Sequence, residues 1–177
     1  ACGVGFVVNI RGKKSHRIVE QALTVLQNLD HRGACGCEEK TGDGAGVLIQ
    51  VPHGFLSKEC SKIGIRLPKS GDYGVGLVFL PTDDKERKFC EDNFRKIIEE
   101  EGLIFLGWRD VPVEDSMIGK TARETEPAIK HLFIGKPAGI ANELAFERKL
   151  YVARKRVENL IRDSKIRQKK YFYITGL

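Results

Sequence analysis

A sheet packed against helices, of the α/β or α+β kind, is the fold the sequence predicts, and three observations predict it. Tyr73–Leu80 and Leu103–Trp108 are short apolar runs with strand character, and between them lies a helical pattern with an acidic first turn. A second helical pattern, near 143–161, precedes the aromatic run Tyr171–Thr175. The 177 residues, 41% hydrophobic and 31% charged, suit a globular chain with a real core and argue against disorder.

The first ten residues open on Cys2 and run into Phe6, Val7, Val8 and Ile10, which predicts a strand tying the chain's start into a sheet. Residues 11–14, Arg-Gly-Lys-Lys, form a polar turn. Ser15 is placed to cap a helix carrying Ile18, Val19, Ala22, Leu23, Leu26 and Leu29 on one face and ending near Asp30. Between His31 and Gly46 there are five glycines in sixteen residues, a stretch able to approach a ligand closely, and it leads into a short predicted strand, Val47–Val51. Phe55–Ile63 is a short helix. The helix after Pro81 takes Phe89, Phe94, Ile97 and Ile98 as its apolar face, and Gly102 ends it. A further strand centres on Lys130–Ile134. The helix of 143–161 is expected to turn Leu144, Leu150, Tyr151, Val157, Leu160 and Ile161 mostly inward.

Several functions are excluded by what these stretches lack. Gly42-Asp43-Gly44-Ala45-Gly46 has no Gly-Lys-Ser/Thr ending, and a helix precedes it where a dinucleotide fingerprint needs a strand, so it is not a phosphate loop. The five cysteines, at 2, 35, 37, 60 and 90, are irregularly spaced; Cys35 and Cys37 with His31 nearby do not complete a zinc site, and no metal is expected. Free thiols in a reducing cytoplasm are the simplest reading. The +6 net charge comes largely from the last third of the chain, but Glu143, Glu147, Glu158 and Asp163 interrupt the basic residues. That is the pattern of a solvated helix face, so no nucleic acid is expected as a partner. No apolar run approaches the roughly 20 residues needed to cross a bilayer, and no membrane is expected either.

Two residues carry candidate chemistry. With Ala1 removed, Cys2 would bear a thiol and a free α-amine, a nucleophile with its own base attached; a buried structural thiol is the alternative. Arg32 sits between a helix end and the glycine-rich stretch, where it suits an anion or a substrate, or else a surface ion pair.

Cys-Gly-Val-Gly-Phe at 2–6, His-Arg-Gly at 31–33, Thr-Gly-Asp-Gly-Ala-Gly at 41–46 and Gly-Trp-Arg-x-Val-Pro at 107–112 occur here in order. Together they make the chain resemble the start of glutamate synthase large subunits, over essentially its whole length. Phe79-Leu80-Pro81, Thr125-Glu126-Pro127 and Leu150-Tyr151-x-x-Arg154-Lys155 fit the same pattern.

The resemblance implies an α+β fold: the four-layer αββα sandwich of amino-terminal nucleophile hydrolases, in its class II glutamine amidotransferase form. Residues 1–177 would be the amino-terminal part of that domain, which is expected to continue past Leu177. It implies an enzyme whose Cys2 attacks the side-chain amide of L-glutamine, with Arg32 and Gly33 binding substrate or orienting the nucleophile. Ammonia released there would serve glutamate synthesis from 2-oxoglutarate. No cofactor is expected in this segment; FMN and an iron–sulfur cluster are expected in the remaining domains of the large subunit, which are partners of this one. Ala1 reads as an unprocessed leader remnant, and the oxyanion Asn-Gly pair and substrate-holding Arg and Asp are expected beyond Leu177. The expected location is the cytoplasm, or the plastid in a plant or alga. A non-catalytic relative using the scaffold for binding or regulation, and a basic nucleic-acid-binding domain, are the competing readings.

Overall fold

The computed structural model describes residues 3–34, 38, 41–42 and 44–177. The chain divides into two compact units: Ala1–Val51 with Glu114–Thr125, and Pro52–Val113 with Glu126–Leu177.

The larger unit holds a four-stranded antiparallel sheet of β1 (Tyr73–Leu80), β2 (Ile104–Asp110), β3 (Ala128–Gly135) and β4 (Tyr173–Gly176), in the order β2-β3-β1-β4. β1 and β3 pair along their full lengths, from Tyr73 opposite Gly135 to Leu80 opposite Ala128. Helix α3 (Asp84–Glu100) links β1 to β2, and α5 (Glu143–Asp163) links β3 to β4. Each helix therefore joins two strands separated by a third, a pair of split β-α-β units. The α+β class that the resemblance implies is the class the structure has.

Local chemistry sets the helix ends. The Asp83 carboxylate accepts from the N–H groups of Lys85 and Glu86 at the start of α3. Gly102, at φ +72°, takes the left-handed conformation that ends it. Asn142 caps α5 by accepting from the Ala145 N–H. On one sheet face Val78, Leu80, Leu132, Ile134 and Ile174 meet Cys90, Phe94, Ile97 and Ile98 of α3 and Phe146, Leu150, Ala153, Val157 and Ile161 of α5. Burial pushes the Cys90 thiol pKa up to about 12, so it is inert. On the other face α2 (His53–Lys62) lays Leu56 and Cys60 against Tyr73 and Phe133.

Helix faces differ in detail from those expected. Cys90 takes the core position on α3, and Phe89 is 38% exposed, because positions 90, 94, 97 and 98 share one stripe and 89 lies off it. On α5 the inward stripe is 146, 150, 153, 157 and 161, which leaves Leu144 and Tyr151 outside. Most basic side chains of α5 are paired: Arg156 with Glu100 and Glu101, Lys149 with Glu101, Arg154 and Lys155 with Glu158, and Arg162 with Asp163. They form the solvated, charge-balanced face the sequence pattern implied. Among the described residues no helix is long and apolar enough to cross a membrane.

One half-buried polar group gives this unit a pH dependence. His131 on β3 faces Arg109 on β2, whose guanidinium donates to His131 Nδ1 at 3.3 Å. Since guanidinium only donates, Nδ1 is an acceptor and the ring is neutral. Burial, with the Arg109 charge beside it, lowers the His131 pKa. The unfolded chain therefore takes up this proton first, and the stability His131 contributes is complete above about pH 6.5 and falls as the pH drops below it. Urea midpoints of the unsubstituted chain should decline from pH 7.5 to 5 more steeply than those of His131→Gln. Parallel slopes would contradict the assignment.

The smaller unit contains α1 (His16–Asn28), capped by the Ser15 hydroxyl accepting from the Arg17 N–H as expected, a 3₁₀ turn over Asp30–Arg32, and α4 (Lys120–Glu124). Residues 11–14 do follow a turn, with Asn9 Oδ1 accepting from the Arg11 and Lys13 N–H groups. Neither Phe6–Ile10 nor Val47–Val51 forms a strand. A strand is completed by a hydrogen-bonded neighbour, and these runs have no strand partner among the described residues; Phe6 is 90% exposed and Leu48 99%.

Candidate functional site

Of the residues expected to act, Cys2 lies outside the described residues, and its neighbour Gly3 lies inside. Gly3 is packed so closely on the end of α1 that a β-carbon there would come within 3.1 Å of Leu29 Cδ2 and 3.4 Å of Arg32 Cβ. Two residues on, a β-carbon at Gly5 would stand 2.6 Å from Val25 Cγ1. The spacing Gly-x-Gly thus lets the backbone of 3–5 run along the α1 face made by Val25 and Leu29. Val25 was absent from the face predicted for α1, although it falls three residues after Ala22 and four before Leu29.

Arg32 ends the 3₁₀ turn that follows α1. Its backbone N–H donates to the Leu29 carbonyl at 2.8 Å, and the Gly33 N–H donates to the Asp30 carbonyl at 2.9 Å. His31 Nδ1 lies 3.0 Å from the Asn28 carbonyl oxygen, so the turn is tied at both ends. The Arg32 side chain is exposed beside Gly3. The structure therefore brings the first strand-like segment and the His31-Arg32-Gly33 motif together.

A residue the sequence did not single out organises the rest of this unit. The Glu38 carboxylate accepts from the backbone N–H groups of Lys120 (2.9 Å) and Thr121 (3.1 Å) at the start of α4, and from the Thr41 hydroxyl at 2.6 Å. The Thr41 bond first, then the Thr121 and Lys120 bonds, hold its carboxyl below the usual carboxylate range. Glu38 stands within the glycine-rich stretch of 31–46, and a partner 82 residues away leaves no local signal.

The other motifs have structural work. Gly107-Trp108-Arg109 lies on β2, where Trp108 packs edge-on to Phe94 and Arg109 reaches Glu59 and His131. A depression of about 510 Å³ beside this strand is lined by Glu59, Lys62, Arg109 and Asp110, whose charges cancel. No group of three or more His, Cys, Asp or Glu among the described residues is placed to hold a metal ion; Cys35 and Cys37 lie outside them. An iron–sulfur cluster needs four thiolates, and Cys60 and Cys90 are buried in separate apolar clusters, so these residues do not fit one.

The family model for class II glutamine amidotransferases matches residues 2–177. The chain belongs to the class II glutamine amidotransferases. Its antiparallel sheet and helix layers agree with the α+β amino-terminal-nucleophile fold of such a member. Among curated proteins it is 46% identical over 159 residues to the glutamate synthase [NADPH] large chain of Bacillus subtilis, covering 90% of this chain and 10% of that protein. It is 40% identical over 182 residues to glutamate synthase [NADH] of Schizosaccharomyces pombe, covering all of this chain and 8% of that one. With ferredoxin-dependent glutamate synthase 2, chloroplastic, of Arabidopsis thaliana it shares 38% identity over 174 residues, 97% of this chain and 10% of that protein. This amidotransferase chain spans about a tenth of the length of these relatives.

Proposed function

We propose that this chain carries the nucleophile and the first substrate-side residues of the glutaminase site of a glutamate synthase. The observation that carries this reading is the packing of Gly3 on Leu29 and Arg32, which sets the residue after Cys2 against the His31-Arg32-Gly33 motif.

The chemistry follows from the residue types. An α-amine titrates near 7.7–8.0 and a thiol near about 8.5, close enough for a freed Cys2 amine to take the thiol proton near neutrality. The sulfur then forms a bond to the glutamine side-chain carbon, the amide C–N bond breaks, and the nitrogen leaves as ammonia with the proton held by the amine. Water adds to the thioester, releasing glutamate and returning the thiol. Arg32 and Gly33 bind the substrate or orient the nucleophile. Removal of Ala1 is required, because an amide nitrogen cannot accept the proton. FMN and an iron–sulfur cluster, which serve glutamate synthesis from 2-oxoglutarate, are assigned to the other domains of the full enzyme and not to these residues. The thiol chemistry suits a reducing compartment: the cytoplasm, or the plastid of a plant or alga.

The test is ammonia release from L-glutamine by the full-length protein. Stoichiometric ammonia and glutamate are the expected products. Binding of glutamine without turnover would favour the non-catalytic reading, and salt-dependent affinity for DNA or RNA the nucleic-acid one.

A further inference from the structure

The Arg32 turn and the start of α4 are two fixed points of the smaller unit, and Glu38 is bonded to the second of them. Arg32 is held by the backbone bonds that close the 3₁₀ turn on α1. Six residues later, Glu38 is clamped by three hydrogen bonds, two of them to the backbone of Lys120 and Thr121. Six residues reach at most about 21 Å, so the clamp on Glu38 lies within that span of Arg32. The clamp also has a shaped seat: a β-carbon at Gly119 would overlap Glu38 Oε2 and Thr41 Oγ1. Position 119 is filled, in effect, by the carboxylate of residue 38.

We propose that Glu38 is a positioning residue for the glutaminase site, acting through Arg32 and Gly33 by fixing the chain at position 38 to the start of α4. This rests on the glutaminase reading. Glu38 touches no reacting atom. Its part is to keep the motif beside Gly3 in one arrangement, and misplacing a substrate-positioning group by about an ångström can cost about 100-fold in rate.

Two substitutions break the anchor from opposite sides. Glu38→Ala removes the acceptor, and Gly119→Ala leaves the carboxylate intact but takes its seat. In the full-length enzyme, assayed well below its thermal midpoint, each should lower kcat for glutamine hydrolysis about 10- to 100-fold with KM changed less than about 3-fold. Glu38→Gln keeps one acceptor oxygen and turns an N–H toward the other donors, so it should fall between wild type and Glu38→Ala. The double variant should be no worse than the poorer single one, since both remove the same interaction. Hydrogen exchange over residues 114–125 should accelerate in both single variants.

Wild-type turnover in Glu38→Ala and Gly119→Ala would overturn the proposal. So would multiplicative losses in the double variant, or unchanged exchange over 114–125. Absence of ammonia release from the unsubstituted enzyme overturns the glutaminase reading itself, and is told apart by appearing before any substitution is made.

Discussion

Replacing Cys2 by Ser or Ala in the complete, processed enzyme should abolish glutamine-dependent glutamate formation while ammonia-dependent synthesis persists. The expected loss is at least about 10,000-fold, the scale on which hydrolases respond to removal of their nucleophile. Serine retains the shape, but its hydroxyl is a far weaker acid and a weaker nucleophile than the thiol, in a site arranged for sulfur. Turnover is measured as ammonia released, and synthesis separately with ammonia supplied. A Cys2→Ala enzyme that still hydrolyses glutamine would remove Cys2 from the mechanism. Equal loss of both activities would mean the substitution acts on folding.

The largest effect on stability is expected at Phe94. Its ring is fully buried, edge-on to Trp108 with centroids 5.4 Å apart and 5.8 Å from Phe172, where α3 meets the sheet and the start of β4. Truncation to alanine loses transfer energy and leaves a cavity, together about 3–5 kcal/mol. At a denaturant slope of about 2 kcal/mol per molar, the urea midpoint should fall by about 2 M. Trp108 is the only tryptophan of the 177 residues and touches the substituted ring, so its fluorescence reports this unit directly. A loss below about 1 kcal/mol would contradict the packing described here.

How far the sequence could be read depended on whether the deciding interactions were local. β1 was legible to the residue, because Tyr73–Leu80 is a compact apolar run between Asp72 and Pro81. α3 and α5 were legible for the same reason, through periodicity and capping, with errors confined to which flank of the stripe faced inward. The runs Phe6–Ile10 and Val47–Val51 have strand composition, but pairing is a property of a partner elsewhere, and composition cannot supply one. The site divides in the same way. Arg32 and Gly33 stood out because a motif and a helix end coincide there. Glu38 did not, because its meaning depends on the N–H groups of Lys120 and Thr121 and on the missing side chain of Gly119. An acidic residue in a loop looks the same whether it meets solvent or an α-helix 82 residues away.

Covalent labelling tests the central claim most directly. The full-length protein is incubated with a glutamine analogue bearing an electrophile in place of the side-chain amide, digested, and the modified peptide sequenced by mass spectrometry. The glutaminase account predicts a single adduct on Cys2, with that cysteine carrying a free α-amine and L-glutamine protecting it. An adduct on Cys35, Cys37, Cys60 or Cys90, or saturating glutamine that fails to protect, would contradict it.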